Sequence, residues 1–438
     1  MLFKQNLIPK IKTIIKKIIK ADIVKVFSLT SVSTLIKMVT GFVSIKVVAS
    51  IIGPAGVALL GQLNNFSSII LQLASGGINN GITKYVSEYR DSTDTVTRYL
   101  STAIRITIFC SLLIGVLMII MNTHLSKWIM MSNDYGYVFV VFGFTVILYA
   151  LNSMMLSVIN GFKDFKRYVT INIANSLVGL AFTLCFVFTL GLKGAMISAV
   201  TYQSVMFFIT LYMVKKQPYI KWNYFKDKLS KPVIRQYLQY ALMAFVTTAC
   251  VPVSQLLLRS NVISQLSMEQ AGWWEGMNRI SHVYLLVITT SFSVYYLPRL
   301  SEIKEKWLLK REIQKSYAVI LPMLIAGFAL IYVLRDVIIQ ILFTPDFYPM
   351  EQLFIWQLLG DFFKISSWLL SFLMVAKAKT KLFIITEIVF AIIYLVLGFS
   401  LVSINGIVGL TQAYMINYIL YTLTMLVAFR HILLAKKG

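Results

Sequence analysis

Residues 382–429 read LFIITEIVFAIIYLVLGFSLVSINGIVGLTQAYMINYILYTLTMLVAF, and Glu387 is the only charged side chain among them. A helix needs about 20 predominantly apolar residues to cross the roughly 30 Å hydrocarbon core of a bilayer. The stretch is therefore long enough for two crossings, which we place at residues 380–403 and 405–430. The chain is predicted to end in a pair of transmembrane helices.

The whole chain shares the character of this stretch. Of its 438 residues, 58% are hydrophobic and 13% are charged, whereas soluble domains are roughly 45–50% apolar and about 25% charged. This composition excludes a soluble globular protein and predicts an all-α polytopic membrane protein with twelve transmembrane helices. The apolar runs that carry them are residues 23–50, 56–86, 98–122, 135–160, 166–190, 193–215, 233–262, 268–300, 312–334, 351–377, 380–403 and 405–430.

The basic residues are distributed unevenly between the loops. The chain has 41 Lys and Arg against 17 Asp and Glu, a formal net charge of +24. If the N-terminus is cytoplasmic, the basic residues at the opposite face are only Lys127, Lys193, Arg259 and Arg335. By the positive-inside rule, this asymmetry places both termini and the loop 216–232 in the cytoplasm. It also accounts for most of the net charge without a nucleic-acid partner.

The N-terminal segment, residues 1–22, mixes Lys and Ile at helical spacing. This pattern predicts a basic amphipathic helix on an anionic membrane surface, with a disordered basic tail as the alternative. The segment lacks the uninterrupted apolar core and the small-residue cleavage site of a signal peptide.

The remainder of the chain divides into two similar halves. Four pairs of short segments recur about 212–216 residues apart, and their common order predicts two six-helix bundles. The pairs are Gly53–Gly56 with Ala271–Gly272, Ser87–Glu88 with Ser301–Glu302, Asp134–Tyr135 with Asp346–Phe347, and Lys193–Gly194 with Asn405–Gly406. Because six is even, the repeat is parallel, about an axis along the membrane normal. The predicted bundles are residues 23–215 and 233–438, joined by the cytoplasmic linker 216–232.

Five basic residues lie within or near the predicted hydrocarbon depth. They are Lys37, Lys46, Arg105, Arg279 and Lys364. A charge at the bilayer centre costs roughly 2.5–3.5 kcal/mol, so each needs a partner, a water-filled cavity or a path to the interface. We expect Lys37 to face a cavity, and also Arg279, which shares a helix face with His282. Lys46 and Arg105 lie nearer helix ends, where snorkelling is the alternative.

Intramembrane acids are fewer, namely Glu275, Asp361 and Glu387. Asp361 and Lys364 are three residues apart and can form an intrahelical ion pair. Glu387 has no basic residue within four positions, which makes it a candidate protonation or cation site. The alternative is a permanent salt bridge to a lysine of another helix, Lys37 or Lys364.

The second predicted helix carries a stripe of amide and hydroxyl side chains that includes Asn64 and Asn65. These groups suit a hydroxyl-rich substrate, although similar residues also mediate ordinary helix packing in membranes.

Several functional classes leave no signal in this sequence. A Walker A loop, an acidic cluster for Mg²⁺ and a soluble catalytic domain are all missing. We therefore expect no enzyme, no metal site and no cofactor. More basic than acidic residues at membrane depth favour an anionic ligand, whereas a carrier of cationic drugs is expected to present carboxylates and aromatic side chains.

Five stretches resemble those of one family. They are Ile52-Gly-Pro-Ala-Gly-Val57, Gly81-Ile-Thr-Lys-Tyr-Val86, Ser291-Phe-Ser-Val-Tyr-Tyr-Leu-Pro298, Trp356-Gln-Leu-Leu-Gly-Asp-Phe-Phe-Lys364 and Gln412-Ala-Tyr-Met415. From about residue 23 the chain resembles the Wzx-type lipid-linked oligosaccharide flippases of the MOP superfamily, particularly the O-antigen and enterobacterial common antigen translocases. Its extra basic N-terminal helix departs from that pattern.

The resemblance implies fourteen or, in this branch, twelve helices in two bundles within the bacterial inner membrane. It also implies transfer of undecaprenyl-pyrophosphate-linked oligosaccharide from the cytoplasmic to the periplasmic leaflet, in contact with membrane lipids and the glycan polymerase and chain-length machinery.

We expect this transfer to proceed by alternating access. The candidate substrate-binding residues are Lys37, Lys46, Arg279, His282, Lys364, Asn64 and Asn65. The candidate coupling residues are Glu387 and, after it, Asp361. Two alternatives stay open, a cation-coupled small-molecule antiporter of the MATE type and a structural scaffold for glycan polymerisation.

Overall fold

The computed structural model describes residues 22–217, 227, 229–377 and 379–435, and every regular element within these ranges is a helix. The predicted all-α class is therefore confirmed. The basic segment 1–22, apart from Asp22, lies outside the described residues, as does most of the linker 216–232.

The helices of the first half begin with a very long one. They are α1 (Asp22–Ala74), α2 (Asn79–Tyr89), α3 (Thr93–Ile120), α4 (Asn122–Met130), α5 (Gly136–Gly161) and α6 (Phe165–Val214). The predicted helix 56–86 is interrupted at Gly76 and Gly77, which both adopt positive φ and separate α1 from α2.

The second half follows a similar order. Its helices are α7 (Lys231–Gln265), α8 (Met268–Ser291), α9 (Leu297–Glu302), α10 (Lys306–Val333), α11 (Arg335–Leu342), α12 (Phe354–Ala376), α13 (Thr380–Ala428) and α14 (Arg430–Leu433). A π-helical turn, Phe292–Tyr296, joins α8 to α9, and a 3-10 segment, Pro345–Leu353, precedes α12.

Three helices, α1, α6 and α13, are too long for one crossing. At about 1.5 Å per residue, a straight helix of 50 residues would measure roughly 75 Å, more than twice the hydrocarbon thickness. Each is broken at one glycine whose φ/ψ is not helical: Gly53 at 64°/−174°, Gly191 at 57°/−132° and Gly406 at 60°/−145°. Glycine has no Cβ and so adopts this region at little cost.

The chain folds back on itself at Gly191 and Gly406. On either side of Gly191, the hydroxyls of Thr183 and Ser198 lie 3.1 Å apart. On either side of Gly406, the rings of Tyr394 and Tyr414 pack with centroids 5.9 Å apart. α6 and α13 are therefore helical hairpins, each with two antiparallel arms.

These turns also refine the internal repeat. An added Cβ at Gly194 would meet the backbone oxygen of Phe186, and one at Gly409 would meet that of Leu401. Gly194 therefore corresponds to Gly409, and the turn residue Gly191 corresponds to Gly406. Our sequence pairing of Gly194 with Gly406 was wrong by three residues, because only the backbone conformation distinguishes neighbouring glycines.

The number of membrane crossings depends on whether both arms of the broken helices, and also α7 and α8, cross the membrane. Among the described residues, seven helices are long and apolar enough to span a membrane, and α7 passes only as two bent segments. α8 is not among them, and it carries Glu269, Glu275 and Arg279. The number twelve stays a prediction, since it requires both arms of the three broken helices, and also α7 and α8, to cross.

The buried core runs through both halves. One large cluster joins α1 and the α6 hairpin to α8, α12 and α13. A second cluster packs the first turns of α7, with Val233 and Tyr237, against α2, α3 and α5. The start of α7 therefore contacts the first bundle, although the sequence assigns it to the second.

Candidate functional site

Buried charges are concentrated where α7 and α8 meet the second arm of α1. Arg259 of α7 is completely buried, and its Nη2 donates to Oε2 of Glu275 at 2.5 Å. Oε1 of Glu275 accepts from Nε of Arg279 at 3.1 Å, one helical turn further along α8. Two guanidinium groups thus share one carboxylate, which leaves one positive charge in the cluster.

The first half reaches this cluster through Gly61 and Gln62. Oε1 of Gln62 accepts from Nη1 of Arg259 at 3.2 Å, and its Nε2 donates to the hydroxyl of Ser260 at 2.9 Å. A Cβ at Gly61 would lie 2.6 Å from Cδ of Glu275. The absent side chain therefore allows α1 to approach the charges of the second half closely.

Asp361 of α12 is the centre of a second buried network. It is completely buried and accepts four hydrogen bonds. The donors are Ser281 at 2.7 Å, Tyr414 at 2.7 Å, Gln357 at 3.3 Å and the hydroxyl of Tyr284. The four donors give this buried carboxylate the hydrogen bonds that a buried polar group requires.

Lys364 does not bond directly to Asp361. Its Nζ donates to the hydroxyl of Tyr414 at 3.0 Å, and that hydroxyl donates to Asp361. The rings of Trp368, Tyr414 and Tyr418 surround the ammonium group at 5.1 to 5.4 Å. The predicted ion pair between Asp361 and Lys364 was wrong, because a hydroxyl from a distant part of the chain lies between them.

A cavity of about 240 Å³ lies within the second half, between α7, α8, α12 and α13. It brings together three of the predicted site residues, His282, Lys364 and Glu387. Glu387 is half-buried and forms no ion pair within 4.0 Å in the described part of the chain. The predicted alternative of a direct salt bridge from Glu387 to Lys37 or Lys364 was therefore wrong for this conformation.

A second and much larger space, of about 1170 Å³, lies between α1, α8, α10 and α11. Its walls are apolar, with Met38 and Phe42 of α1 facing Phe328 of α10. Only Glu312 and Lys315 bring charge to it. We call this space the lateral groove.

Tyr284 connects the lateral groove to the hydrogen-bond network of Asp361. It lines the lateral groove, while its hydroxyl donates to Asp361. The other three donors to Asp361 (Ser281, Gln357 and Tyr414) line the small cavity. The hydrogen bonds to Asp361 therefore hold together the residues of the wall between the lateral groove and the small cavity.

Lysine and asparagine residues of α1 that the sequence predicted for the site do not line the small cavity. Lys37 is exposed on α1, beside Met38 of the groove, and has no ion pair among the described residues. Lys46 donates to the backbone oxygens of Gln340 at 3.0 Å and Phe343 at 2.6 Å. It thus satisfies carbonyls at the end of α11, which would otherwise be orphaned.

Asn64 and Asn65 lie apart from the cavity, on the second arm of α1. Asn64 is exposed, and Nδ2 of Asn65 is buried without a partner in the described residues. Sequence reasoning identified Glu387 and Lys364 but missed their tyrosine neighbours. The signal was present, since Tyr414 belongs to a quoted motif, but only folding brings it to Asp361.

Comparison with solved structures shows which fold the chain has. The fold is that of MOP-superfamily transporters, and an inward-facing multidrug resistance MATE transporter is similar with a TM-score of 0.72, 13% identity and coverage of 90% of this chain and 95% of that chain. Lipid II flippase MurJ in an inward closed conformation has a TM-score of 0.72, 16% identity and coverage of 92% and 89%.

The sequence comparisons then give the family. The model of the polysaccharide biosynthesis protein family matches residues 23–304. The lipid III flippase of Escherichia coli (strain K12) is 30% identical over 393 residues, which cover 90% of this chain and 94% of the relative. The chain belongs to the polysaccharide biosynthesis protein family, and the predicted resemblance to Wzx-type flippases of the MOP superfamily is confirmed.

Proposed function

We propose that this protein flips undecaprenyl-pyrophosphate-linked oligosaccharide, of the O-antigen repeat-unit type, from the cytoplasmic to the periplasmic leaflet of the bacterial inner membrane. The observation that carries the proposal is the shared wall at Asp361 between an apolar lateral groove and a polar cavity. An amphiphile with an apolar tail and a hydroxyl-rich head requires both environments side by side. The relatives named as lipid III and lipid II flippases support the same reading.

The tail would occupy the lateral groove. The groove is apolar along most of its length and is formed by four separate helices, α1, α8, α10 and α11. A polyprenyl chain in such a groove stays in contact with material as apolar as lipid, so the carrier avoids the cost of moving the tail through water.

The pyrophosphate would be held by basic groups that keep a free donor or net positive charge. Lys37 is exposed beside the groove, and Arg279 belongs to a cluster in which two guanidinium groups share Glu275. Charge-assisted hydrogen bonds to phosphate oxygens are stronger than neutral ones. Lys46 remains a candidate through its place on α1. His282 and Lys364, which line the small cavity, and Asn64 and Asn65 remain candidates as glycan contacts.

The direct test is reconstitution. Purified protein in vesicles should move a fluorescently marked undecaprenyl-pyrophosphate-linked oligosaccharide between leaflets, and Lys37→Ala should slow this movement at least tenfold. Lys127→Ala is the matched control, since Lys127 is also exposed but lies on α4. Wild-type protein that fails to move the lipid contradicts the proposed function, and a fully active Lys37→Ala variant contradicts the assignment of Lys37.

A cation-coupled antiporter of small molecules is the second candidate. It is favoured by one observation, the carboxylate of Glu387 in a cavity lined by aromatic rings, in a fold shared with MATE transporters. Deletion that increases drug susceptibility and leaves surface glycan intact would favour the antiporter. Loss of glycan assembly without a change in drug susceptibility would favour the flippase.

The proposal also covers topology and partners. We place both termini in the cytoplasm on the distribution of basic residues, and we expect the glycan polymerase and chain-length machinery as partners. We assign the chain no enzymatic activity, cofactor or metal. We assign the coupling of transport to an ion gradient to Glu387 and, after it, to Asp361.

A further inference from the structure

We propose that the small cavity of the second half is a subsite for a single uncharged sugar residue of the glycan. The proposal rests on the proposed function and makes it more specific, because the flippase assignment does not say which half of the protein binds sugar or how many sugar residues it binds. The cavity measures about 240 Å³ and lies between α7, α8, α12 and α13. Pockets for drug-sized ligands are roughly 300–1,000 Å³, so this one admits one sugar ring and excludes a longer glycan.

Three buried amides in the cavity wall each have one polar atom without a hydrogen-bond partner among the described residues. They are Asn278, Gln357 and Asn417, all at most 8% exposed, and the unpaired atoms are Nδ2 of Asn278, Oε1 of Gln357 and Oδ1 of Asn417. A buried polar atom without a partner is unfavourable, because it has given up its hydrogen bonds to water. All three side chains line the same cavity, and an amide can both donate and accept, which suits a ligand whose hydroxyls do the same.

Aromatic faces supply the other half of sugar recognition. Trp368, Tyr394 and Tyr418 line the same cavity and are only half-buried. A sugar ring offers apolar C–H groups on its faces and hydroxyls on its rim. Half-buried rings can therefore cover the faces of a sugar while the amides bind its rim.

The charge of the cavity argues against phosphate. Lys364 lines it, but so does Glu387, and Asp361 lies one hydroxyl behind Lys364. Two carboxylates against one ammonium group repel a pyrophosphate and leave no net attraction for an acidic sugar. A neutral sugar such as a hexose or an N-acetylhexosamine avoids this penalty.

Two residues of the cavity wall, Val251 and His282, are exposed. His282 lines the cavity and is exposed, whereas its neighbour Ser281 is buried and bonded to Asp361. A sugar entering past His282 would approach Asn278, one helical turn earlier on α8.

The first experiment compares two lipids in reconstituted vesicles, undecaprenyl pyrophosphate alone and the same lipid carrying one N-acetylglucosamine. Asn417→Leu should slow the sugar-bearing lipid about threefold to tenfold, as expected for the loss of one hydrogen bond, and leave the bare lipid unchanged. Asn175→Leu is the matched control, because Oδ1 of Asn175 is also buried and unpaired but lies on α6. Equal slowing of both lipids by Asn417→Leu, or no slowing of either, overturns the proposal.

The second experiment does not depend on flipping. Titration of the purified protein with glucose, N-acetylglucosamine, glucuronic acid or NaCl should change tryptophan fluorescence saturably with the two neutral sugars only. Trp368→Phe should abolish the change, and Asn417→Ser, a smaller alteration that guards against misfolding of the Leu variant, should weaken binding. A saturable response to NaCl alone, or none to either neutral sugar, overturns the subsite. Sugar binding without flipping would instead retain the subsite and reject the proposed function.

Discussion

At the scale of single residues, Arg259 gives a specific prediction about stability. It is completely buried between Glu275, Gln62 and the ring of Trp274, 5.1 Å from its Cζ. Glu275 keeps Arg279 as its partner when Arg259 is removed, so no buried charge loses its compensation. Arg259→Leu should therefore lower the free energy of unfolding by about 1–3 kcal/mol, for the hydrogen bonds that are lost, measured by denaturant titration in detergent.

The double variant Arg259→Leu with Glu275→Leu provides the control for this prediction. It also removes the partner of Arg279, so the double variant should be less stable than the single one by a further amount of up to about 3–5 kcal/mol. A double variant as unstable as the single one would show that the cost arises from packing and not from charge.

Tyr414 is the second residue with a specific expectation, since its hydroxyl connects Lys364 to Asp361. Tyr414→Phe keeps the ring and removes the connection, which should cost about 1–3 kcal/mol in the same unfolding measurement. Tyr418→Phe is the matched control, because the Tyr418 hydroxyl has no hydrogen bond within the part of the chain that the structure describes. Equal effects of the two variants would contradict the bridging role.

These residues also show where sequence reasoning ends. The spacing of Asp361 and Lys364 correctly predicted a shared helix face. It could not predict that Tyr414, 50 residues after Lys364, would come between them. Charged residues are visible in an apolar sequence, whereas the hydroxyls and amides that bind them are not distinguishable from ordinary helix contacts.

At the scale of the helices, the glycine turns carry the clearest expectation. Gly406 has φ of 60° and ψ of −145°, a region in which a residue with a Cβ costs about 1–3 kcal/mol. Gly406→Ala should therefore destabilise the protein by that amount in thermal unfolding. Gly327→Ala on α10 is the matched control, because Gly327 has no positive φ and open space at its Cβ, and it should be neutral or slightly stabilising.

Most helix boundaries followed from the sequence within about six residues, because apolar runs and polar loops alternate so sharply. The predicted helices 56–86 and 268–300 are exceptions, since the first is broken after Ala74 and the second after Ser291. The prediction of 380–403 and 405–430 matches the two arms of α13. The π-helical turn Phe292–Tyr296 and the amphipathic helix α11 were not predicted. The end of α11 is held by a tertiary contact that the sequence does not reveal, the bonds from Lys46 to Gln340 and Phe343.

At the scale of the whole molecule, Glu387 should link transport to the proton gradient. The titratable groups that share its cavity are Cys250, His282, Lys364, Tyr394, Tyr414, Tyr418 and Tyr421. Moving one charge across 100 mV is worth roughly 2.3 kcal/mol, so a group that changes protonation between states can bias the return of the empty carrier. Glu387→Gln keeps the shape and cannot titrate. Flipping by this variant should no longer respond to an imposed pH gradient, and an unchanged response would leave Asp361 as the next candidate.

The lateral groove makes a separate prediction about the tail. If the tail stays in the apolar groove between α1, α8, α10 and α11, its burial does not change during transport. The flipping rate should then vary less than about twofold between polyprenyl chains of different length. If the tail had to leave lipid, each CH₂ would add about 0.8 kcal/mol to the barrier. Rates that fall steeply with chain length would exclude the groove as the path of the tail.

The hairpins at Gly191 and Gly406 have a consequence for how the protein is made. Each pair of arms emerges from the ribosome with its partner adjacent in the chain, and contacts such as Thr183 with Ser198 can form before distant helices are synthesised. The tight turns also reduce the number of polar groups that a hairpin carries into the bilayer when it inserts. Lys193 is the only charged residue near the first turn, and Asn405 is the most polar side chain beside the second. Biogenesis should therefore proceed in paired insertion steps, with each hairpin entering the bilayer as one unit ahead of assembly of the bundles.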